Sequence, residues 1–136
     1  MSSDTKPKNV GLILIVCGGR NYMDQAKLFS TLDRIHATKG INTIIQGEAK
    51  GADALAKLWA AANKVTCVGF KADWELHGKA AGVIRNAEMI KFPGVNGTVA
   101  FPGGRGTQDM IVRTMLAKLP VMNIAQEADK NDPSSS

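Results

Sequence analysis

The segment Phe101-Pro102-Gly103-Gly104-Arg105-Gly106-Thr107 carries the densest chemistry in this chain. It follows a short apolar run, Gly97-Thr98-Val99-Ala100, and precedes a stretch with helical periodicity. A strand, a glycine-rich turn and a helix in that order make an anion site. Glycine removes the Cβ that would hold a ligand away from the backbone. The first turn of a helix adds N–H groups that lack intrahelical partners, at the positive end of the helix dipole. Phosphate is the usual anion at such a place. The candidate ligand-binding residues here are Pro102, Gly103, Gly104, Arg105, Gly106 and Thr107.

Two further loops offer related chemistry. Gly18-Gly19-Arg20-Asn21 follows the first apolar run, and reads as a backbone cradle in which Arg20 clamps a phosphate or carboxylate. The alternative is a tight turn with a solvated arginine. The loop is not the G-x-G-x-x-G fingerprint, so a standard nicotinamide hydride-transfer enzyme is not supported. In Gly47-Glu48-Ala49-Lys50-Gly51-Ala52-Asp53, Gly51 lets the backbone approach a ligand, and Glu48 or Asp53 is placed to hold ribose hydroxyls. Against this, Asp53 also suits the first turn of a helix as a plain dipole-compensating charge, and Glu48 also suits water.

Single side chains complete the inventory. Trp74 in a polar stretch either stacks on a base or plugs an apolar gap. Arg85 and Asn86 fall within a helix that points toward the same edge, unless Arg85 simply pairs with Glu88 three residues on. Asp109 is a candidate base or a helix-start charge. His36 reads as structural and His77 as a surface residue. Cys17 and Cys67 lie in apolar runs and read as small buried hydrophobes rather than ligands or a disulfide. The acidic residues are dispersed and no His/Cys ligand spacing occurs, so neither a metal nor a cofactor is expected.

The elements that must position these residues alternate along the chain. Residues 10–17 form a continuous apolar run, the pattern of a strand buried on both faces. A helix is expected over 23–38, ended by Gly40. Strands at 42–46, 65–70, 97–101 and 120–124 alternate with helices at 52–63, 79–91 and 106–119, and 71–78 reads as an irregular polar link. This is an α/β chain: one Rossmann-like or flavodoxin-like domain with a five-stranded parallel sheet and helices on both faces. In such sheets ligands bind beyond the carboxyl ends of the strands, where all of these loops lie. The ordered domain is expected over 9–125, between disordered segments 1–8 and 126–136.

Bulk properties narrow the function classes. At 136 residues, with 44% hydrophobic and 21% charged residues, the chain fits one globular domain. No apolar run approaches the roughly 18 residues of a membrane span, and no secretory cleavage pattern follows the first run, so a cytoplasmic protein with no membrane partner is expected. The net charge of +5 admits nucleic acid as a partner, but the lysines are scattered and aromatics make up only 5% of residues, which is thin for stacking single strands.

The residues also carry a family resemblance. Gly18-Gly19-Arg20-Asn21-Tyr22-x-Asp24, Gly47-x-x-x-Gly51-Ala52-Asp53-x-Leu55-Ala56, Ala72-Asp73-Trp74-x-x-x-Gly78-Lys79-Ala80-Ala81-Gly82-x-Ile84-Arg85-Asn86-x-x-Met89 and Phe101-Pro102-Gly103-Gly104-x-Gly106-Thr107 occur in order over 10–121. The set resembles the YspA-related branch of the SLOG superfamily, found in bacteria and phages. That superfamily is Rossmann-like. It includes LOG-type phosphoribohydrolases, single-stranded-DNA-binding relatives of DNA-processing protein A, and sensors of nucleotide-derived signals. The resemblance implies a nucleotide or ADP-ribose-like ligand, a pocket built from the glycine loops around Arg85, and a homo-oligomer. It also implies a host-cytoplasm location if the chain is phage-encoded. One departure stands out. The LOG pattern Pro-Gly-Gly-x-Gly-Thr-x-x-Glu has Met110 at its glutamate position, and Asp109 sits one residue earlier, about 100° around a helix.

Three functions compete on this reading. The first is binding of a nucleotide-type small molecule for sensing or sequestration. The second is N-glycosidic cleavage of such a ligand, with Arg85 and Asp109 in the catalytic roles and Glu48, Asp53 and Asp73 as other carboxylates able to stabilise a cationic ribose. The third is single-stranded nucleic-acid binding, which would show a steep salt dependence.

Overall fold

The computed structural model describes residues 11–124; the segments expected to be disordered, 1–8 and 126–136, lie outside the described residues. Five strands form one sheet: β1 (Leu12–Cys17), β2 (Ile41–Gln46), β3 (Thr66–Gly69), β4 (Gly97–Ala100) and β5 (Val121–Asn123). The helices are α1 (Gln25–Thr38), α2 (Ala52–Ala62), α3 (Trp74–His77), α4 (Ala81–Ile90) and α5 (Arg105–Leu116). The sheet order is β3-β2-β1-β4-β5, and every pairing is parallel. Of the two orders expected, this is the Rossmann one; a flavodoxin-like sheet would place β2 at the edge.

The continuous apolar run of β1 is explained by its central position. Leu14 and Val16 point to one face, where they join Leu28, Leu32, Ala56 and Trp59 from α1 and α2. Ile15 and Cys17 point to the other, where they meet Met89, Met110 and Ile111 from α4 and α5. The alanines of α2 serve its own domain: Ala52, Ala56 and Ala60 are buried, so the helix lies close on the sheet. Trp59 is buried beside them, and its indole N–H donates to Asp33 Oδ1 of α1 at 2.8 Å. His36 is structural, as expected: its Nδ1 accepts from the Ile41 amide at 2.9 Å, and its ring meets Trp59 edge-on.

Element boundaries shift where caps decide them. Asp24 accepts from the Lys27 amide at 3.0 Å, so α1 starts at Gln25 rather than residue 23. The polar link 71–78 is not wholly irregular. Asp73 caps the short helix α3 through the Leu76 amide at 3.0 Å, and a 3₁₀ turn, Gly78–Ala80, leads into α4. Among the described residues, no helix is long and apolar enough to cross a membrane.

Candidate functional site

The sheet order reverses between β1 and β4, so the loops that leave these strands flank a crevice. Gly19 laces the surrounding loops together. Its N–H donates to the Pro102 carbonyl at 2.8 Å, and its own carbonyl accepts from Ala52, at the start of α2, at 3.2 Å. These bonds leave little room for side chains. A Cβ on Gly51, whose φ is +76°, would overlap the Gly19 carbonyl, and one on Gly18 would press on Ala52. Gly51 was expected to bring backbone to a ligand; it brings backbone to another loop instead. Gly104 and Gly106 differ, because a Cβ at either would meet nothing within 4 Å. Protein packing does not require glycine at these two positions, which border open space at the mouth of α5.

That space is a cleft of about 240 Å³ lined by Cys17, Gly18, Gly19, Arg20, Ala49, Asp53, Arg85, Asn86, Met89, Gly104, Gly106 and Thr107. A neighbouring hollow of about 330 Å³ shares Arg20, Arg85 and Gly106 with it and adds Trp74 and Gly82. The N-terminus of α5 opens on the cleft, and among the described residues no side chain caps it. Its backbone N–H groups and dipole therefore favour an anion there.

Arg85 is the fixed cation of the site. Its Nη1 donates to the Gly47 carbonyl at 2.8 Å and its Nε to Asn86 Oδ1 at 3.2 Å. It does not act as a surface partner of Glu88. Burial lowers its pKa from the ordinary value; the nearby Asp53 carboxylate opposes this, and Arg20 adds to it. Asn86 is itself buried, and its amide donates to the Gly106 carbonyl at 3.1 Å and to Asp109 Oδ2 at 3.0 Å. It thus holds α4 to the first turn of α5.

Asp53 is more than a helix-start charge. The residue is 6% exposed, and Oδ2 accepts from the Gly47 amide at 3.2 Å and the Ala49 amide at 3.3 Å. Burial raises its pKa from 3.8 to about 6, while Arg85 and the two amides pull it back. Burial also pushes the Cys17 thiol far up, with Asp53 adding to the effect, so no thiolate faces the cleft at neutral pH. Both cysteines are free, in line with the sequence reading.

The sequence-derived site residues separate into distinct groups. Gly18, Gly19, Arg20, Asp53, Arg85, Asn86, Gly104, Gly106 and Thr107 meet at the cleft. Trp74 stands at its rim, with the Arg20 guanidinium carbon 5.0 Å from its ring centroid. Gly47, Gly51, Ala52, Pro102 and Gly103 are not among the residues that line the cleft. Asn21 borders another hollow with Arg20, Tyr22, Met23 and Gly51, and Arg105 is exposed at the start of α5. Glu48 turns toward β3: it accepts from the Gln46 side chain and pairs with Lys57 at 3.3 Å. Asp109 is bound to Arg113 at 2.8 Å and to Asn86, and is not among the cleft-lining residues. Met110, at the position where the LOG-type pattern has glutamate, is fully buried in the core beneath α4 and α5.

Cys17, Ala49 and Met89 also line the cleft and were missed by sequence reasoning. They offer it a wall rather than a functional group. Position at the carboxyl end of the central strand was the one available signal, and it applied to Cys17.

An open parallel sheet with glycine-rich loops and two arginines at its switch point defines a Rossmann-like α/β domain with an anion-type crevice. The model of the YspA, cpYpsA-related SLOG family matches residues 12–77. The chain is 34% identical over 122 residues to the Gene 61 protein of Mycobacterium phage D29, covering 84% of this chain and 97% of that protein. The chain therefore belongs to the YspA/cpYpsA-related SLOG family. No solved structure gives a significant match.

Proposed function

We propose that this protein binds a nucleotide or nucleotide-derived molecule in the cleft between β1 and β4, and that it senses or sequesters that molecule. The observation that carries this reading is the convergence of Arg20 and Arg85 on the uncapped N-terminus of α5, beside two glycines that packing does not require. A phosphate group fits that donor set. The cleft alone suits a phosphate and sugar, and the adjoining hollow with Trp74 suits a planar base. The test is to identify by mass spectrometry what copurifies with the protein. Calorimetry against nucleoside mono- and diphosphates and ADP-ribose then follows. An intact bound nucleotide supports the reading; absence of binding across the panel sinks it.

N-glycosidic cleavage is the second reading, favoured by one observation: the Asp53 carboxyl borders the cleft close to Arg85. A carboxylate there would offset positive charge building on a ribose as the base departs. Chromatographic release of free base, lost in Asp53→Asn with binding retained, would support it.

We further propose a cytoplasmic homo-oligomer, in a bacterial cell or a phage-infected host. Exposed Val83 and Ile84 on α4 and Val112, Met115 and Leu116 on α5 support the assembly. Light scattering coupled to size-exclusion chromatography tests it.

A further inference from the structure

We infer that Arg20 and Trp74 form a latch that makes the site reject ligands lacking a phosphate; this rests on the nucleotide-binding reading above. Among the described residues, Trp74 is the sole aromatic side chain lining the hollow beside the cleft, and it is 46% exposed. Its far edge lies near Gly82, where an added Cβ would stand 3.5 Å from the ring. The Arg20 guanidinium sits over the ring at 5.0 Å. A base that stacks on the ring face turned toward Arg20 must displace the guanidinium from it.

Arg20 has an alternative place to go. The same side chain lines the cleft at the N-terminus of α5, close enough to Arg85 for its charge to help lower the Arg85 pKa. Two guanidiniums share one crevice and repel each other, and the π face of Trp74 holds Arg20. A phosphate in the crevice reverses that balance. It offers Arg20 a charge-assisted hydrogen bond, stronger than the cation–π contact, and removes the repulsion. Arg20 then leaves the ring, and the ring face becomes free for the base. Phosphate and base are therefore read together: a nucleoside must break the Arg20–Trp74 contact without compensation, whereas a nucleotide supplies the compensation itself.

The experiment uses the full chain labelled with 5-fluorotryptophan. Its two tryptophans are assigned by Trp74→Phe, and buried Trp59 is the internal reference. Pyrophosphate alone should shift the Trp74 resonance and leave that of Trp59 in place. Calorimetry with adenosine, guanosine, cytidine and uridine, with and without pyrophosphate, then measures coupling. Breaking an exposed cation–π contact should make a nucleoside bind about two- to fivefold tighter when pyrophosphate is present.

Arg20→Gln separates a latch from a simple charge. Arg20 is exposed, so the variant should fold. It should lose about tenfold or more in affinity for the nucleoside monophosphates, yet bind the bare nucleosides more tightly than the wild type does without pyrophosphate. Monophosphate binding with a static Trp74 resonance and unchanged nucleoside affinity in Arg20→Gln would overturn the latch and leave the nucleotide reading intact. Failure of every monophosphate and of pyrophosphate to bind would overturn both.

Discussion

Arg85 Nη1 donates to the Gly47 carbonyl at 2.8 Å, which ties α4 to the loop after β2 across the mouth of the cleft. The relationship explains two residues at once. The guanidinium needs a fixed acceptor to stay aimed inward, and Gly47 is glycine because a Cβ there would stand 2.7 Å from Nη1 and 2.8 Å from Cζ.

Gly47→Ala should therefore act as a binding variant more than a folding variant. The group it displaces is the far end of a flexible side chain, so the fold can absorb the methyl. Arg85→Lys should behave alike, because an ammonium keeps the charge but loses the planar fork. Losing one well-placed bond to a charged group predicts about a tenfold or greater drop in pyrophosphate affinity for each. Calorimetry gives the affinity, and a thermal melt confirms that the fold survives. Wild-type affinity in both variants would remove Arg85 from the site.

Asp53 gives a pH dependence with a definite sign. Its pKa is raised on folding, from 3.8 to about 6, chiefly by burial. The folded state therefore favours the protonated form. The stability this contributes is fully present below pH 3.8 and is lost as pH rises through 6, at which point the ionised group costs about 3 kcal/mol. Asp53→Asn cannot ionise, and its amide oxygen can still accept from Gly47 and Ala49. Urea denaturation of both proteins should show Asp53→Asn gaining stability relative to the wild type between pH 4 and pH 7. A constant difference across that range would place the Asp53 carboxyl in a far wetter environment than its burial implies.

Much of this architecture is legible in the sequence, for physical reasons that particular residues make plain. The β1 run from Leu12 to Cys17 is apolar at every position because both of its faces are covered, and that marks the centre of a parallel sheet. Turn glycines mark the loops equally well. What sequence cannot separate is why each glycine is there. Gly51 and Gly104 look alike as letters, yet one makes room for the Gly19 carbonyl and the other faces open space. The same limit applies to carboxylates. Glu48 in the loop and Asp53 in the first turn of α2 are only five residues apart, but the former turns out to Lys57 and the latter turns in beside Arg85. Asp73 showed as a polar link residue because a cap for a four-residue helix leaves almost no periodic signal.

Gly106→Ala should separate stability from binding. The residue lies in the first turn of α5, and an added Cβ meets no atom of another element within 4 Å among the described residues. Replacing a helical glycine by alanine should stabilise the fold by about 0.5–1 kcal/mol. The new methyl would intrude on the space where the ligand's phosphate is proposed to sit. A higher melting temperature combined with weaker nucleotide binding is the expected pair of results. A stabilised variant with unchanged affinity would move the phosphate away from this turn.

Met110→Glu tests whether the glutamate of the LOG-type pattern can simply be introduced. The LOG-type pattern puts a glutamate at this position, but here the side chain is fully buried against Ile15, Cys17, Met89 and Ile111. A carboxylate in that core would have no partner, and an unpaired buried charge costs several kcal/mol even after relaxation. The substitution should therefore lower the melting temperature sharply or prevent folding, and any folded fraction should release no free base from nucleoside monophosphates. A well-folded Met110→Glu protein that cleaves nucleotides would mean that this helix can rotate its buried face toward the cleft. Hydrolysis would then be one substitution away from binding. The packing of α5 against α4, held by Asn86 on Gly106 and Asp109, argues against that rotation.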